Sequence, residues 1–270
     1  MTTDSDRMKD ELTRTEGVSH QAVPCPRASH AGTEEIMATA TETVFENVAT
    51  PKRTLDGDRW VQFPATWETY QSLCESRGEK SRPRYFYFDG KMTAVSPGLP
   101  HEGAGARLGG LIEDILVGLR IKAYPLGSVT LWRSALPRGG AEADETYYLS
   151  NVDRIRGKKK LVMGEDPAPD LVVEIVVSHP PDDALECYRL FGVREVWVVE
   201  DDELSILVLS ANGRYEPSST SACFPFLSAP EIAFWTFRQD IDDEIELRFQ
   251  FRAWVSETLF PRKRRSDDTP

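Results

Sequence analysis

The chain has 270 residues, 40% of them hydrophobic and 28% charged, which provides for one substantial core in a globular protein. Its 44 acidic and 32 basic side chains give a formal charge of −12. That excludes a protein that coats nucleic acid nonspecifically, though it leaves room for a local basic groove or a metal-dependent site.

Residues 1–55 are rich in Thr, Ser, Ala, Glu and Pro, with one weak apolar patch near Val44, Phe45 and Val48. Such a segment buries too little to offset its ordering entropy, so an unstructured extension is expected. Its first residues alternate acidic and basic side chains and offer no apolar core for a secretory signal. No stretch reaches the roughly 18 to 20 apolar residues of a membrane helix, so a cytoplasmic protein with no membrane partner is expected. Cys25, Cys74, Cys187 and Cys223 are scattered without metal-finger spacing, in keeping with a reducing compartment.

Residues 56–260 read as one domain. Trp67, Tyr70, Leu73 and Cys74 fall at helical spacing, and Gly78 is the expected stop. The aromatic run Tyr85 to Phe88, the Asp89-Gly90 turn and KMTAVS predict a hairpin. After the break at SPGLP, apolar residues recur at Ala104, Leu108, Leu111, Ile115 and Leu119, the strongest helical stripe in the chain. Strands are expected at SVTLW, TYYL and LVVEIVV, followed by a helix over 182–191, strands at VREVWVVE, LSILVL and 213–215, and a helix over 244–259. This order predicts an α/β domain built around one mixed sheet flanked by helices. Residues 261–270, basic and then acidic, are expected to form a loose tail.

LVVEIVV is apolar on both faces except at Glu174, so it should be a central strand covered by helices on both sides. A carboxylate there is costly unless it pairs with a cation, sits at an exposed strand end or is functional. Asp144, in GGAEADETYYL, stands at the entry to another strand. Two acids meeting at adjacent strands would suit Mg²⁺, which takes one or two carboxylates and completes its shell with water and phosphate. Asp170 is a poorer partner for Glu174, because four residues along a strand separate them by about 13 Å; it reads as the strand opener. RIRGKKK, with Arg156, Lys158, Lys159 and Lys160, reads either as a solvated turn or as a phosphate attractor. His101 and Glu102 open the long helix, where backbone N–H groups favour anions. His179 and Glu113 carry no assigned role.

YFDGKMTAVSPGLPHEGAGARL, GGAEADETYYL, PAPDLVVEIVVSHP and CYRLFGVREVWVVE together resemble the Uma2-like putative restriction endonuclease family, a branch of the PD-(D/E)XK nuclease superfamily. The resemblance runs from about Tyr70 to Trp254. It implies a restriction-endonuclease-like mixed sheet core flanked by helices, a metal-dependent phosphodiesterase centre and DNA as substrate. It also implies Asp144 and Glu174 as metal ligands, with Mg²⁺ as the ion and Mn²⁺ as its alternative. The superfamily lysine two residues beyond the glutamate is Val176 here. The family's alternative lysine, four residues before Tyr188, is Ala184, and the proline before the first aspartate is Ala143. Arg189 is the cation expected to supply charge in the lysine's place, without acting as a base, and His101 is expected to face the acids.

Three functions therefore compete at the level of sequence. The first is a metal-dependent DNA endonuclease. The second is a catalytically decayed nuclease-fold protein that binds nucleic acid or protein, and the third is an unrelated hydrolase or structural α/β domain. A homodimer stays open.

Overall fold

The computed structural model describes residues 57–78, 82–177 and 181–267. The expected extension and His179 lie outside them. The chain begins with β1 (Arg59–Pro64), α1 (Trp67–Arg77) and the hairpin β2 (Arg84–Phe88) and β3 (Lys91–Ser96). The long helix α2 (Leu99–Gly118) follows, then β4 (Tyr124–Pro125), β5 (Thr130–Arg133), β6 (Gly139–Glu142) and β7 (Glu145–Tyr148). A short helix α3 (Val152–Ile155) and β8 (Leu161–Val162) lead to β9 (Leu171–Val176), α4 (Asp182–Phe191), β10 (Glu195–Glu200), β11 (Glu203–Leu209) and β12 (Tyr215–Ser218). The chain closes with α5 (Ala229–Thr236), α6 (Glu244–Trp254), a π-helical turn at Val255–Leu259 and α7 (Phe260–Asp267). Among the described residues no helix is long and apolar enough to cross a membrane.

The α/β class holds, but the single sheet expected from sequence is replaced by two six-stranded sheets. One runs in the order β1-β3-β2-β6-β5-β8, the other β12-β11-β10-β9-β7-β4. Both are mixed: β5 and β8 are parallel in the first, β9 and β10 in the second. The second sheet escaped the sequence reading because several of the first sheet's strands are two to four residues long or rich in glycine, too short for an alternating pattern to register. The chain passes from the first sheet to the second between Glu142 and Glu145, so Asp144 sits at the crossing.

Every residue of β9 is buried. Its odd positions, Leu171, Val173 and Ile175, pack with Leu108, Leu111 and Ile115 of α2. Val172 and Val176 pack with Ala184, Cys187 and Tyr188 of α4. A strand covered on both faces explains the near-continuous apolar run in LVVEIVV and places Glu174 on the α4 side by alternation. The C-terminal segment is also part of the core, through Leu247, Phe251, Val255 and Leu259. The expected loose tail is instead helical through Asp267, the helix running on from the π-helical turn into α7.

Candidate functional site

Strands β7 and β9 are antiparallel, with Glu145 opposite Val173 and Thr146 opposite Val172. The paired stretch ends there, and Asp144, the residue before Glu145, lies against the Val173–Ile175 stretch of β9. Asp144 is locked there by its own backbone and side chain: its N–H donates to Val173 O (3.0 Å), and its Oδ2 accepts from the Ile175 N–H (2.6 Å). Asp144 is thus bonded to Val173 and Ile175, the residues on either side of Glu174, and both acids are buried.

His101 comes from the first turn of α2, which begins at Leu99, two residues earlier than expected. The start of this helix is built against Asp58. Asp58 Oδ1 accepts the Gly98 N–H (2.9 Å), satisfying a backbone donor at the helix entry. A side chain at Gly98 would place its Cβ 2.9 Å from Gly57 O, so only glycine allows this approach. Asp58 Oδ2 accepts from His101 Nδ1 (2.9 Å), and His101 Nε2 lies 2.7 Å from Asp144 Oδ1. The imidazole is therefore strung between two buried carboxylates, which fixes its ring plane.

The cation at the site is Arg84, the first residue of β2. It pairs with Asp144 Oδ1, comes to 2.9 Å of His101 Nε2 and approaches Glu102 at 3.8 Å. Its Nε is buried with no hydrogen-bond partner among the described residues. Arg189, expected from sequence to supply this charge, is bound instead to Glu186, with Nε–Oε2 at 2.8 Å on the partly exposed side of α4. The reason is helical phase: Tyr188 points at the sheet, and the next residue is turned by about 100° away from it.

Tyr188 donates to Glu174 Oε2 at 2.8 Å. Burial, followed by the adjacent Glu174 charge, pushes its hydroxyl far above the usual tyrosine range, so it stays a donor. Val176 and Ala184, which stand where the resemblance implies lysine, are both buried and apolar. Asp58, Arg84 and Tyr188 were missed as functional candidates. Asp58 carried a faint signal, as an acid beside a glycine ahead of a strand, and Tyr188 stood within the stretch that resembles the family.

The other acids near Asp144 in sequence are structural or face elsewhere. Glu142 is paired with Arg77 and accepts the Tyr85 N–H at 3.2 Å. Glu145 turns to α2, where a Cβ on Gly109 would meet its Oε1 at 2.9 Å. Asp170 opens β9 by accepting the Leu149 and Ser150 N–H groups at 2.7 and 2.9 Å, as the sequence suggested.

Among the described residues no group of three or more His, Cys, Asp or Glu side chains is arranged to hold a metal. Two carboxylates completed by water are nevertheless what Mg²⁺ takes in a substrate site. A carboxylate offers about four lone-pair sites, and Asp144 has three contacts, with Ile175, His101 and Arg84. Asp144 and Glu174 fit as hard oxygen donors, with Arg84 competing for the same Asp144 oxygen. A separate 450 Å³ cleft at the carboxyl ends of β9 and β10, lined by Gly103, Arg107, Ile175, Val177 and Asp202, contains neither acid.

The family model of Uma2, described as "Putative restriction endonuclease", matches residues 67–237. A crystal structure titled as a putative nuclease belonging to DUF820, from Anabaena variabilis, is similar to this chain at 16% sequence identity and a TM-score of 0.43. That likeness covers 70% of this chain and 99% of the other. No curated protein matches the chain.

Proposed function

Because the chain belongs to the Uma2 family of putative restriction endonucleases, we propose that it hydrolyses DNA phosphodiester bonds at the Asp144–Glu174 centre, with a bound divalent cation. The observation that carries this reading is the fastening of buried Asp144 to Val173 and Ile175, on either side of buried Glu174, with Arg84 paired to Asp144. Held by Asp144 and Glu174, Mg²⁺ or Mn²⁺ supplies Lewis acidity and lowers the pKa of the attacking water. The chain's own residues prepare the site for this. Ile175 N–H and His101 fix the Asp144 carboxylate, and Tyr188 fixes that of Glu174. Arg84 offsets charge developing on the phosphoryl oxygens; its orphan Nε is a donor in want of an acceptor. A guanidinium does not take up a proton from water, so its part is electrostatic.

One observation favours a second reading, a decayed site that binds nucleic acid or protein without cleaving. Val176 and Ala184 leave no lysine at either family position, and Arg84 already neutralises Asp144. Nicking of supercoiled DNA over a Mg²⁺ and Mn²⁺ titration separates the two. The nuclease reading expects Asp144→Asn to lower the wild-type rate by about a hundredfold or more, the scale of losing a metal's contribution to the transition state. Equal background rates for both proteins would reject it in favour of the decayed site.

A further inference from the structure

The end of α3 and the loop from it to β8 hold five cations in seven residues, Arg154, Arg156, Lys158, Lys159 and Lys160, in a chain of net charge −12. All five are exposed. Beneath them lies a 190 Å³ pocket lined by Tyr124, Val129, Thr130, Trp132, Lys159 and Lys160 among others. The Lys160 ammonium sits 4.1 Å from the Trp132 ring centroid, and the Arg156 guanidinium sits 5.4 Å from that of Tyr124. These contacts hold the charged heads over aromatic faces without neutralising them. Lys158 is partnered by Asp166 at 2.6 Å, whereas among the described residues Lys159 and Lys160 form no ion pair.

The register relates this loop to the acids. Thr130 of β5 pairs with Glu142 of β6, two residues before Asp144. Leu131 pairs in parallel with Leu161 of β8, immediately after Lys160. The lysines therefore enter the sheet at the same end as Glu142, two strands across, and Asp144 follows Glu142 by two residues where the chain leaves this sheet. Two strands at the usual spacing are about 10 Å, the lateral separation of Lys160 from Glu142.

The geometry points to this basic, aromatic-backed groove as the surface that grips the phosphate backbone of a DNA strand whose neighbouring segment lies at Asp144 and Glu174. The inference deepens the nuclease reading by naming where the substrate is held. It is tested by binding, so that it stands or falls apart from cleavage.

The full chain is titrated into fluorescein-labelled single-stranded and duplex oligonucleotides in EDTA, with anisotropy followed from low to moderate salt. Replacing both lysines, Lys159→Ala with Lys160→Ala, is expected to weaken binding about tenfold at low salt and to make the log K against log salt slope shallower by about 1.8. Arginine at both positions should keep the wild-type affinity, which a folding defect at the loop would not predict. Unchanged affinity and slope in the double alanine variant would overturn the proposal. So would a wild type that binds neither oligonucleotide, or poly-glutamate competing as well as DNA. Lysine-dependent binding in a protein that nicks nothing would sustain the groove while removing the nuclease reading.

Discussion

Asp144 is held from three directions, by a strand amide, a histidine and an arginine, and each contact comes from a different element. Its position is fixed by the fold rather than by its own rotamer preference, which is what a centre built to receive a charged ligand requires. Glu174 depends on Tyr188 in a comparable way, since a buried carboxylate is costly wherever a donor is withdrawn. Tyr188→Phe removes one such donor with little change of shape. It is expected to lower stability by about 1–3 kcal/mol, read as a drop in the urea midpoint at unchanged m-value. An unchanged midpoint would mean that the Tyr188–Glu174 hydrogen bond adds nothing net. Both acids of the proposed centre stood out in the sequence, Glu174 because a lone charge interrupts an apolar run and Asp144 through the family resemblance. Of their partners His101 was named as well, but Arg84 and Tyr188 were not, because an arginine at the start of a strand and a tyrosine on a helix meet the acids only through the tertiary fold.

At the scale of elements, the packing of β7 on α2 leaves a titrating group inside the structure. Burial, and secondarily the charge of Glu113, raise the Glu145 carboxyl from 4.5 to about 7. Between those values the folded state binds more protons than the unfolded chain, so stability falls as pH rises. The favourable contribution is fully present below about pH 4.5, is lost through about pH 7, and changes no further above that. The difference amounts to roughly 3 kcal/mol. Glu145→Gln should flatten this part of the stability–pH curve and make the protein more stable than wild type at pH 8. Parallel curves for the two proteins would show that Glu145 titrates normally. The same region explains which elements were legible. The α2 stripe and the hydrophobic strand β9 carry long periodic signals, and the structure contains both. The strand β6 begins Gly139-Gly140, which reads as a loop, yet a Cβ at Gly140 would lie 2.2 Å from the Tyr70 ring. The glycine serves the packing of α1 on the sheet, and that demand is tertiary, absent from any local pattern.

For the molecule as a whole, the family match and the folding unit have different limits. The match ends at residue 237, but α6 and the π-helical turn after it bury Leu247, Phe251, Val255 and Leu259, each at most 1% exposed, in the same cluster as the central strand β9. Asp114 of α2, itself buried, binds Arg248 through paired contacts of 2.7 and 2.8 Å and Arg252 at 2.7 Å, which sets the rotation of α6 on the core. Apolar burial is worth about 2 kcal/mol for each of these side chains. Losing all four approaches the entire stability of about 5–15 kcal/mol typical of a domain, before counting the α2 and β9 surface they would uncover and the Asp114 charge left without its arginines. A chain stopped at Asp240 is therefore expected to lose cooperative thermal unfolding and to bind a hydrophobic dye at room temperature, although it contains the whole family-matched region and every residue of the candidate site. Calorimetry of the truncated and full chains decides the matter. A sharp unfolding transition in the truncated protein, within a few degrees of the full chain, would show that the C-terminal helices are an appendage and that the core closes without them.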